Sequence, residues 1–555
     1  MRLFGILRAN SGIPCVSARR SELFTLMNRS VSFLSRSLQL RGSGLLCGLL
    51  LALGTLSLTS CATRYYKLPA YNFAGRPTPP SLLQERVLVG LTTNGTTGEL
   101  EILDGLRDLR SNIQYTKPTF SISGYSSGYP SLILNFPEES KGYAYSNSDG
   151  SLININYGTE AAAGPAATLP ALSTAIAAPP TFTRIYSAEP TAGFLVLVDN
   201  TTGGTYALNL PNVNQVVANA GDTVALAMVR NSNYLYRIFK LNTNQYQTSL
   251  QAIAATGAVD CQPYNLPIYC VVPVPGKFDH PSNAYFSLDG TQAYVLNSGP
   301  ELGGTTASVS VIPQSQLVNT LYATSPQAPA GYLPPTSPIP SPTNPSPVSQ
   351  QILVPGGVTT AISDGTTLYV AGQSPYVVGS NGASTTTPNP NGLFAGYLTT
   401  INQATNQITA AYSISDGSHS QMLFADDNTL WIGSANCANG VRQYNFVRTG
   451  TMSEATNYNC LTMFNTSTLA PLIVPALTTG TGVSYPNTYQ TDMNYYGNIG
   501  GVAWVQNYHK VYTAYGGQIH SFNTTDGSER TNTNITVQGT ALTVVYMDAL
   551  TNLAN

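Results

Sequence analysis

Apolar and polar residues alternate in short runs along almost the whole chain from about residue 85 onward. Runs such as Leu398-Thr399-Thr400-Ile401 and Ile519-His520-Ser521-Phe522 carry the two-residue period of a half-buried strand. They recur at roughly ten-residue intervals, with turn chemistry between them. Asp-Gly pairs begin at Asp104, Asp149, Asp289, Asp364, Asp416 and Asp526, and both residues tolerate the positive φ that a tight two-strand connection demands. Long apolar stripes at helical spacing are missing, so the pattern predicts an all-β body.

Two self-similarities make this body a repeat protein. The first pairs Tyr129-Pro130-Ser131, followed by Lys141-Gly142-Tyr143-Ala144-Tyr145, with His280-Pro281-Ser282, followed by Asp289-Gly290-Thr291-Gln292-Ala293-Tyr294-Val295. Weaker copies run from Gly357 through Tyr369-Val370, from His419 through Trp431-Ile432, and from Gly500 through Val511-Tyr512. The second is strand, polar turn, strand, as in Leu398 to Ala410, Leu461 to Thr468 and Ile519 to Thr525. Set end to end, the two halves give a four-stranded unit about every 40–60 residues, the signature of a propeller blade.

These runs resemble the YVTN-type, lactonase-like propeller repeats of bacterial surface proteins, in which a proline, an Asp-Gly turn, a Tyr-Val-like strand and an Asn-rich turn follow in order. The resemblance covers most of residues 85–548. It implies an all-β β-propeller of about seven four-stranded blades, while the sequence itself offers about eight candidate units. Residues 85–103 supply outer strands without an inner one, and Ala541 to Tyr546 supply an inner strand without outer ones. Pairing the two ends would close the ring and leave no open edge. A two-sheet sandwich or a chain of small β-domains is the alternative architecture. Residues 158–180, 373–393 and 325–349, the last with nine prolines, read as insertions, and residues 180–250 are the least regular part. The proline segment is expected as extended polyproline II between two blades.

Upstream of the repeats lies a different pattern. The uncharged run from Gly42 to Thr59 is 18 residues long, follows Arg29, Arg36 and Arg41, and ends at Leu58-Thr59-Ser60-Cys61. Length and flanks suit a signal peptide better than a permanent span, and the last four residues resemble the lipobox of bacterial lipoproteins. The resemblance implies a signal peptide over 1–60, lipidation of Cys61, and a lipidated tether over 61–84 before the propeller at 85–548. Initiation at Met27 would give an n-region of ordinary length. Ala62, where an aspartate would hold a lipoprotein in the inner membrane, favours the outer membrane. An uncleaved transmembrane anchor is the alternative, and either way the body is exported.

Beyond the leader and Cys61, four cysteines remain: Cys261, Cys270, Cys437 and Cys460. They allow three pairings, of which sequence proximity favours Cys261 with Cys270 and Cys437 with Cys460 in an oxidising compartment. Neither spacing is that of a structural zinc site. Removing the leader takes the formal net charge from −2 to −8, because it carries seven arginines and one glutamate. Nucleic acid is therefore not expected as a partner. Charged residues are only 9% of the chain, with solubility left to Asn, Thr, Ser and Gly, a profile that suits a secreted β-protein.

Candidate chemistry is sparse. The four histidines are His280, His419, His509 and His520. His280 and His419 hold equivalent repeat positions, each six residues before the end of an expected inner strand, and inner-strand ends face the mouth of the central channel, so the two form a candidate ligand site there. The competing reading is that they hold strands in place through ordinary hydrogen bonds. His509 and His520 read as solvated or structural. No Gly-x-Ser-x-Gly elbow, phosphate-binding loop or calcium-hand spacing occurs, so no catalytic residue, metal or cofactor is assigned. Tyrosines at 485, 489, 495, 496, 508, 512 and 515 suit either packing between blades or a sugar or protein partner. The functional expectation is a lipid-anchored envelope propeller that binds a protein or glycan partner. The alternative is a lactonase-like or dehydrogenase-like enzyme with its site at the channel mouth.

Overall fold

The computed structural model describes residues 77–108, 120–241, 259–262, 268–317, 320–321, 346–375, 377–378, 384–385, 394–415, 417–435, 437, 460–474, 498–530, 537 and 539–552. The leader, Cys61 and the tether as far as residue 76 lie outside the described residues. So do residues 322–345 of the proline segment and Tyr485, Tyr489, Tyr495 and Tyr496.

Successive strands pair antiparallel, and most groups of four form one sheet. Pro130–Phe136, Lys141–Ser146, Ser151–Asn156 and Ala161–Thr168 make blade 2. Blade 3 is Ala175–Ala177, Arg184–Glu189, Phe194–Asp199 and Gly204–Asn209. Blade 4 begins with Val213–Ala218, Ala225–Val229 and Leu235–Leu241, and ends in Ile268–Pro273 with the short Asp260–Gln262 beside it. Blades 5, 6, 7 and 8 start at Pro281–Phe286, Thr360–Ser363, Ser418–Ala425 and Ile499–Val505. The outer edge of blade 8 is completed by a bridge from Phe522 to Glu529.

Blade 1 is made from both ends of the described chain. Thr540–Tyr546 is its inner strand, Arg86–Thr92 and Gly98–Asp104 lie outside it, and residues 120–122 bond the outer edge through Ile102 and Leu100. Val87 stands opposite Tyr546, Leu88 opposite Val545 and Val89 opposite Val544. The ring is an eight-bladed β-propeller closed by its terminal strands, as the unpaired strand sets at the two ends of the sequence predict.

Packing shows the same ring. Between every two neighbouring blades lies one apolar cluster. Val87 and Leu91 of blade 1 share a cluster with Tyr512 of blade 8, Ile102 with Ile133 of blade 2, and Tyr145 with Ile185 of blade 3. Around the remainder, Leu195 clusters with Val216, Leu226 with Val295, Val309 with Val370, Leu398 with Ile432, and Trp431 with Val511. Strands so sandwiched are buried on both faces, which is why runs such as Arg86–Thr92 read as nearly continuous apolar sequence. Each fully buried Val or Leu contributes roughly 1.5–3 kcal/mol.

The repeated Pro-Ser has a structural meaning. The ladder between first and second strands slips by one residue at Pro130/Leu132, Pro281/Asn283, Val213/Gln215, His419/Gln421 and Ile499/Gly501. A β-bulge therefore sits near the start of each of these inner strands, and proline, which donates no ladder hydrogen bond, fits there. The bulges also tie blades together: Ser282 Oγ donates to Val358 O at 3.1 Å, and Thr359 Oγ1 donates to His419 O at 3.1 Å.

Residues 158–180 correct the reading of an insertion, since they supply the outer strand Ala161–Thr168 of blade 2 and the inner strand Ala175–Ala177 of blade 3. Alanine is small and has no strand preference, so these strands lack the alternating signal. The irregular 180–250 region builds most of blades 3 and 4. Tyrosine is abundant partly because its hydroxyl crosses between blades. Tyr512 donates to Asp108, Tyr186 to Asp222, and Tyr269 to Asp199. Both expected disulfides are present, Cys261–Cys270 across paired strands of blade 4 and Cys437–Cys460 in blade 7.

Candidate functional site

Every blade repeats one strand direction, so inner strands begin on one face of the ring and end on the other. The two faces carry different chemistry.

On the face where inner strands begin, His280 precedes the first strand of blade 5 and His419 is the second residue of the first strand of blade 7. The inner strand of blade 6 stands between them. His280 has positive φ, and its Nδ1 lies 2.9 Å from Asp279 Oδ1. The other Asp279 oxygen accepts from Thr305 and Thr306. Burial pushes the Asp279 carboxyl up, but the hydrogen bonds from His280, Thr305 and Thr306 outweigh it and hold it at about 2. This pair fastens the 298–307 loop.

His419 is 3% exposed and its Nε2–H donates to Ser415 O at 2.8 Å. Burial pulls the imidazole down to about 4, against the opposing effect of that bond, so the ring is neutral at pH 7. On the same face Glu301 accepts from the backbone N–H of Gln373 at 2.9 Å, and Gln373 Oε1 accepts from Gly417 N at 3.3 Å. Burial drives the Glu301 carboxyl up to about 7, with the bonds from Gln373 offsetting only part of the effect. Glu301 is thus a clamp between blades 5, 6 and 7 that the sequence reading missed. A lone acid after a strand carries no pattern that marks it.

The opposite face holds a cleft of about 600 Å³ where the ring is sealed. Its walls come from Glu85 and Arg86 at the start of one blade 1 strand, Tyr546 to Leu550 after the other, Pro137 and Tyr157 of blade 2, and Gln506 to Tyr508 of blade 8. Beneath it Arg86 is fully engaged. Nη2 lies 2.6 Å from Asp548 Oδ1 and Nη1 lies 3.0 Å from Glu160 Oε1. Ser81 caps the far side of Glu160 through its N–H and hydroxyl. Burial lowers the guanidinium pKa, but Asp548 and Glu160 outweigh it and the net direction is upward. At the lip, the hydroxyls of Tyr508 and Tyr546 both donate to the Glu85 carboxylate. Tyr508 is 41% exposed, whereas Tyr512 and Tyr515 of the same tyrosine-rich stretch are core.

Of the candidate residues of the sequence reading, Tyr508 lines this cleft and the histidines do not. His280 and His419 lie on the other face, and the cleft residues are hundreds of positions apart in the chain. Among the described residues no group of three or more His, Cys, Asp or Glu is placed to hold a metal ion.

The ring defines the class of this protein as an eight-bladed β-propeller. No family model and no curated protein matches the sequence. Among solved structures it is similar to hydrazine synthase of Kuenenia stuttgartiensis, at 14% identity over 75% of this chain and 100% of that one, with a TM-score of 0.40. It is similar to the dihydro-heme d1 dehydrogenase NirN in complex with DHE, at 12% identity over 86% and 80% of the chains and a TM-score of 0.46. A third is the β-propeller domain of Cps50 (Swd1) from Myceliophteria thermophila, at 8% identity over 70% and 93%, with a TM-score of 0.38.

Proposed function

We propose that this protein is a lipid-anchored cell-envelope β-propeller that binds a protein or glycan partner. The observation that carries the reading is the cleft at the ring seal, a half-open hollow lined by polar and aromatic residues, in the size range of ligand sites and held by a closed ring. The anchor rests on Leu58-Thr59-Ser60-Cys61 and the outer-membrane address on Ala62. Two disulfides suit an exported body. The bulged Pro-Ser starts of blades 2 and 5 support the likeness to YVTN-type repeats.

Metabolic labelling with palmitate tests the anchor. Wild type carries the label and fractionates with the outer membrane, whereas Cys61→Ser loses both. A Cys61→Ser protein retained in the membrane contradicts a lipid anchor.

The second reading is a lactonase-like or dehydrogenase-like enzyme with its site on the His280 and His419 face. It is favoured by one observation, the buried His419 Nδ1 that has no hydrogen-bond partner among the described residues. Replacing both histidines by alanine separates the two readings, because partner binding in the seal cleft survives and turnover at the channel mouth does not.

A further inference from the structure

We infer that the side chains of Lys510 and Asp108 condense into an amide, a covalent bond that closes the ring between blades 8 and 1. Lys510 opens the second strand of blade 8, Lys510–Tyr515, and Asp108 ends the turn that follows Gly98–Asp104 of blade 1, 402 positions away in the chain. Lys510 Nζ lies 2.8 Å from Asp108 Oδ1. An ordinary ion pair has only these two members, whereas here an amine, a carboxyl group and a proton donor converge on one oxygen atom. Tyr512, two residues further along the same strand and so on the same face, donates its hydroxyl to that Oδ1. The amine is also oriented, because Nζ donates to Gly105 O at 2.7 Å. The carboxyl is presented by a fixed turn, in which Asp108 has positive φ and its N–H donates to Asp104 O at 2.8 Å.

The bond needs no co-reactant. Lys510 passes one ammonium proton to the Asp108 carboxylate, and its neutral nitrogen adds to Cγ. The Nζ–Cγ bond forms as the Cγ–Oδ2 bond breaks, a second proton leaves the nitrogen, and Oδ2 departs as water. Oδ1 stays as the amide oxygen, and the Tyr512 hydroxyl stabilises the negative charge that collects on it in the tetrahedral intermediate. Burial pulls the Lys510 ammonium pKa down, with Asp108 opposing the fall, and so favours the neutral amine that acts as nucleophile. Burial also keeps the Tyr512 phenol protonated, well above its ordinary range. Well-oriented groups in one molecule react at effective concentrations of about 10⁵–10⁸ M, and the product removes two charges whose burial is costly. Released water has a way out, since the Lys510 side chain is 2% exposed but that of Asp108 is 13% exposed. The amide turns the chain between the two residues into a covalent loop, so the ring stays closed where its two ends meet.

The test is mass spectrometry of the full-length protein, purified in detergent, then reduced, denatured and digested with a protease that cuts after aromatic residues and leucine. Wild type yields a branched peptide in which Arg107-Asp108-Leu109 is joined to His509-Lys510-Val511-Tyr512, lighter than the two together by one water, about 18 Da. Lys510→Arg, which keeps the charge and lacks the nucleophile, yields only the two separate peptides. After boiling in denaturant and reductant it migrates differently from wild type, whose chain remains a loop. In pulse-chase samples, Tyr512→Phe accumulates the branched peptide roughly tenfold or more slowly than wild type. Separate peptides alone from wild type overturn the inference, and that outcome requires no variant to fold. Equal migration of wild type and Lys510→Arg also overturns it. Accumulation in Tyr512→Phe at the wild-type rate overturns the role given to the phenol.

Discussion

Arg86 and Asp548 stand 462 positions apart in the chain, yet their side chains meet at 2.6 Å in a pair that is almost wholly buried. Arg86 opens an outer strand of blade 1 and Asp548 follows its inner strand, so the pair locks the point at which the ring closes. Glu160 and the Tyr157 carbonyl take the remaining guanidinium face and extend the lock into blade 2.

Removing Asp548 takes away the closer of the two carboxylates that offset the buried Arg86 charge and leaves only Glu160. Asp548→Ala is expected to destabilise the ring by about 3–5 kcal/mol, measured as a shift in urea midpoint at constant slope. A change below about 1 kcal/mol would mean that the pair is solvated and does not hold the seal.

Glu301 gives a pH dependence with a definite sign. Its folded pKa, about 7, lies above the ordinary carboxyl value of 4.5. The stabilising contribution of the protonated form is present below the ordinary range and is lost as pH rises through 7. Glu301→Gln is therefore expected to be more stable than wild type at pH 8, by on the order of 1–3 kcal/mol, and to converge on it near pH 4. Thermal unfolding across that range checks this, and parallel curves for the two proteins would refute it.

Inner strands approach one another backbone to backbone at Gly500, where a Cβ would run into the carbonyl oxygen of Leu542. Gly500→Ala is expected to cost about 1–3 kcal/mol through overpacking. Gly290→Ala serves as the comparison: its turn has open space but positive φ, so it carries only backbone strain. Equal effects at the two sites would show that the blade 8 and blade 1 inner strands are not in contact.

Tyr512 donates to Asp108, which also receives Lys510 Nζ at 2.8 Å. Tyr512→Phe keeps the ring and removes only the hydroxyl, so its expected cost is the roughly 1–3 kcal/mol of an under-satisfied buried carboxylate. Denaturant unfolding of the single variant, and of Tyr512→Phe combined with Asp108→Asn, reads the coupling. Additive effects would place the two groups out of contact.

Much of the ring is legible in the sequence because its determinants are local. Pro130-Ser131 and Pro281-Ser282 mark bulged strand starts, Asp289 and Asp364 mark turns whose carboxylates accept from the residues after them, and the unpaired strand sets at both ends state how the ring closes. Ala161–Thr168 and Ala175–Ala177 are illegible because their strand character comes from pairing with Ser151–Asn156 and Arg184–Glu189 rather than from their own residues. The cleft is hidden for a related reason: Glu85, Tyr508 and Asp548 share no motif and meet only when the ring closes. The repeat does place His280 and His419 on one face, but burial at His419 and the Asp279 bond at His280 arise from neighbours that periodicity does not reveal.

The most direct measurement of the central claim is photo-crosslinking on intact cells, with a photoreactive residue placed in the anchored protein either at Tyr508, on the cleft lip, or at Leu302, exposed on the opposite face. The account predicts a discrete glycan or protein adduct from position 508, and none of comparable yield from position 302. An adduct from position 302 with none from 508 would contradict it and move the functional site to the His280 and His419 face.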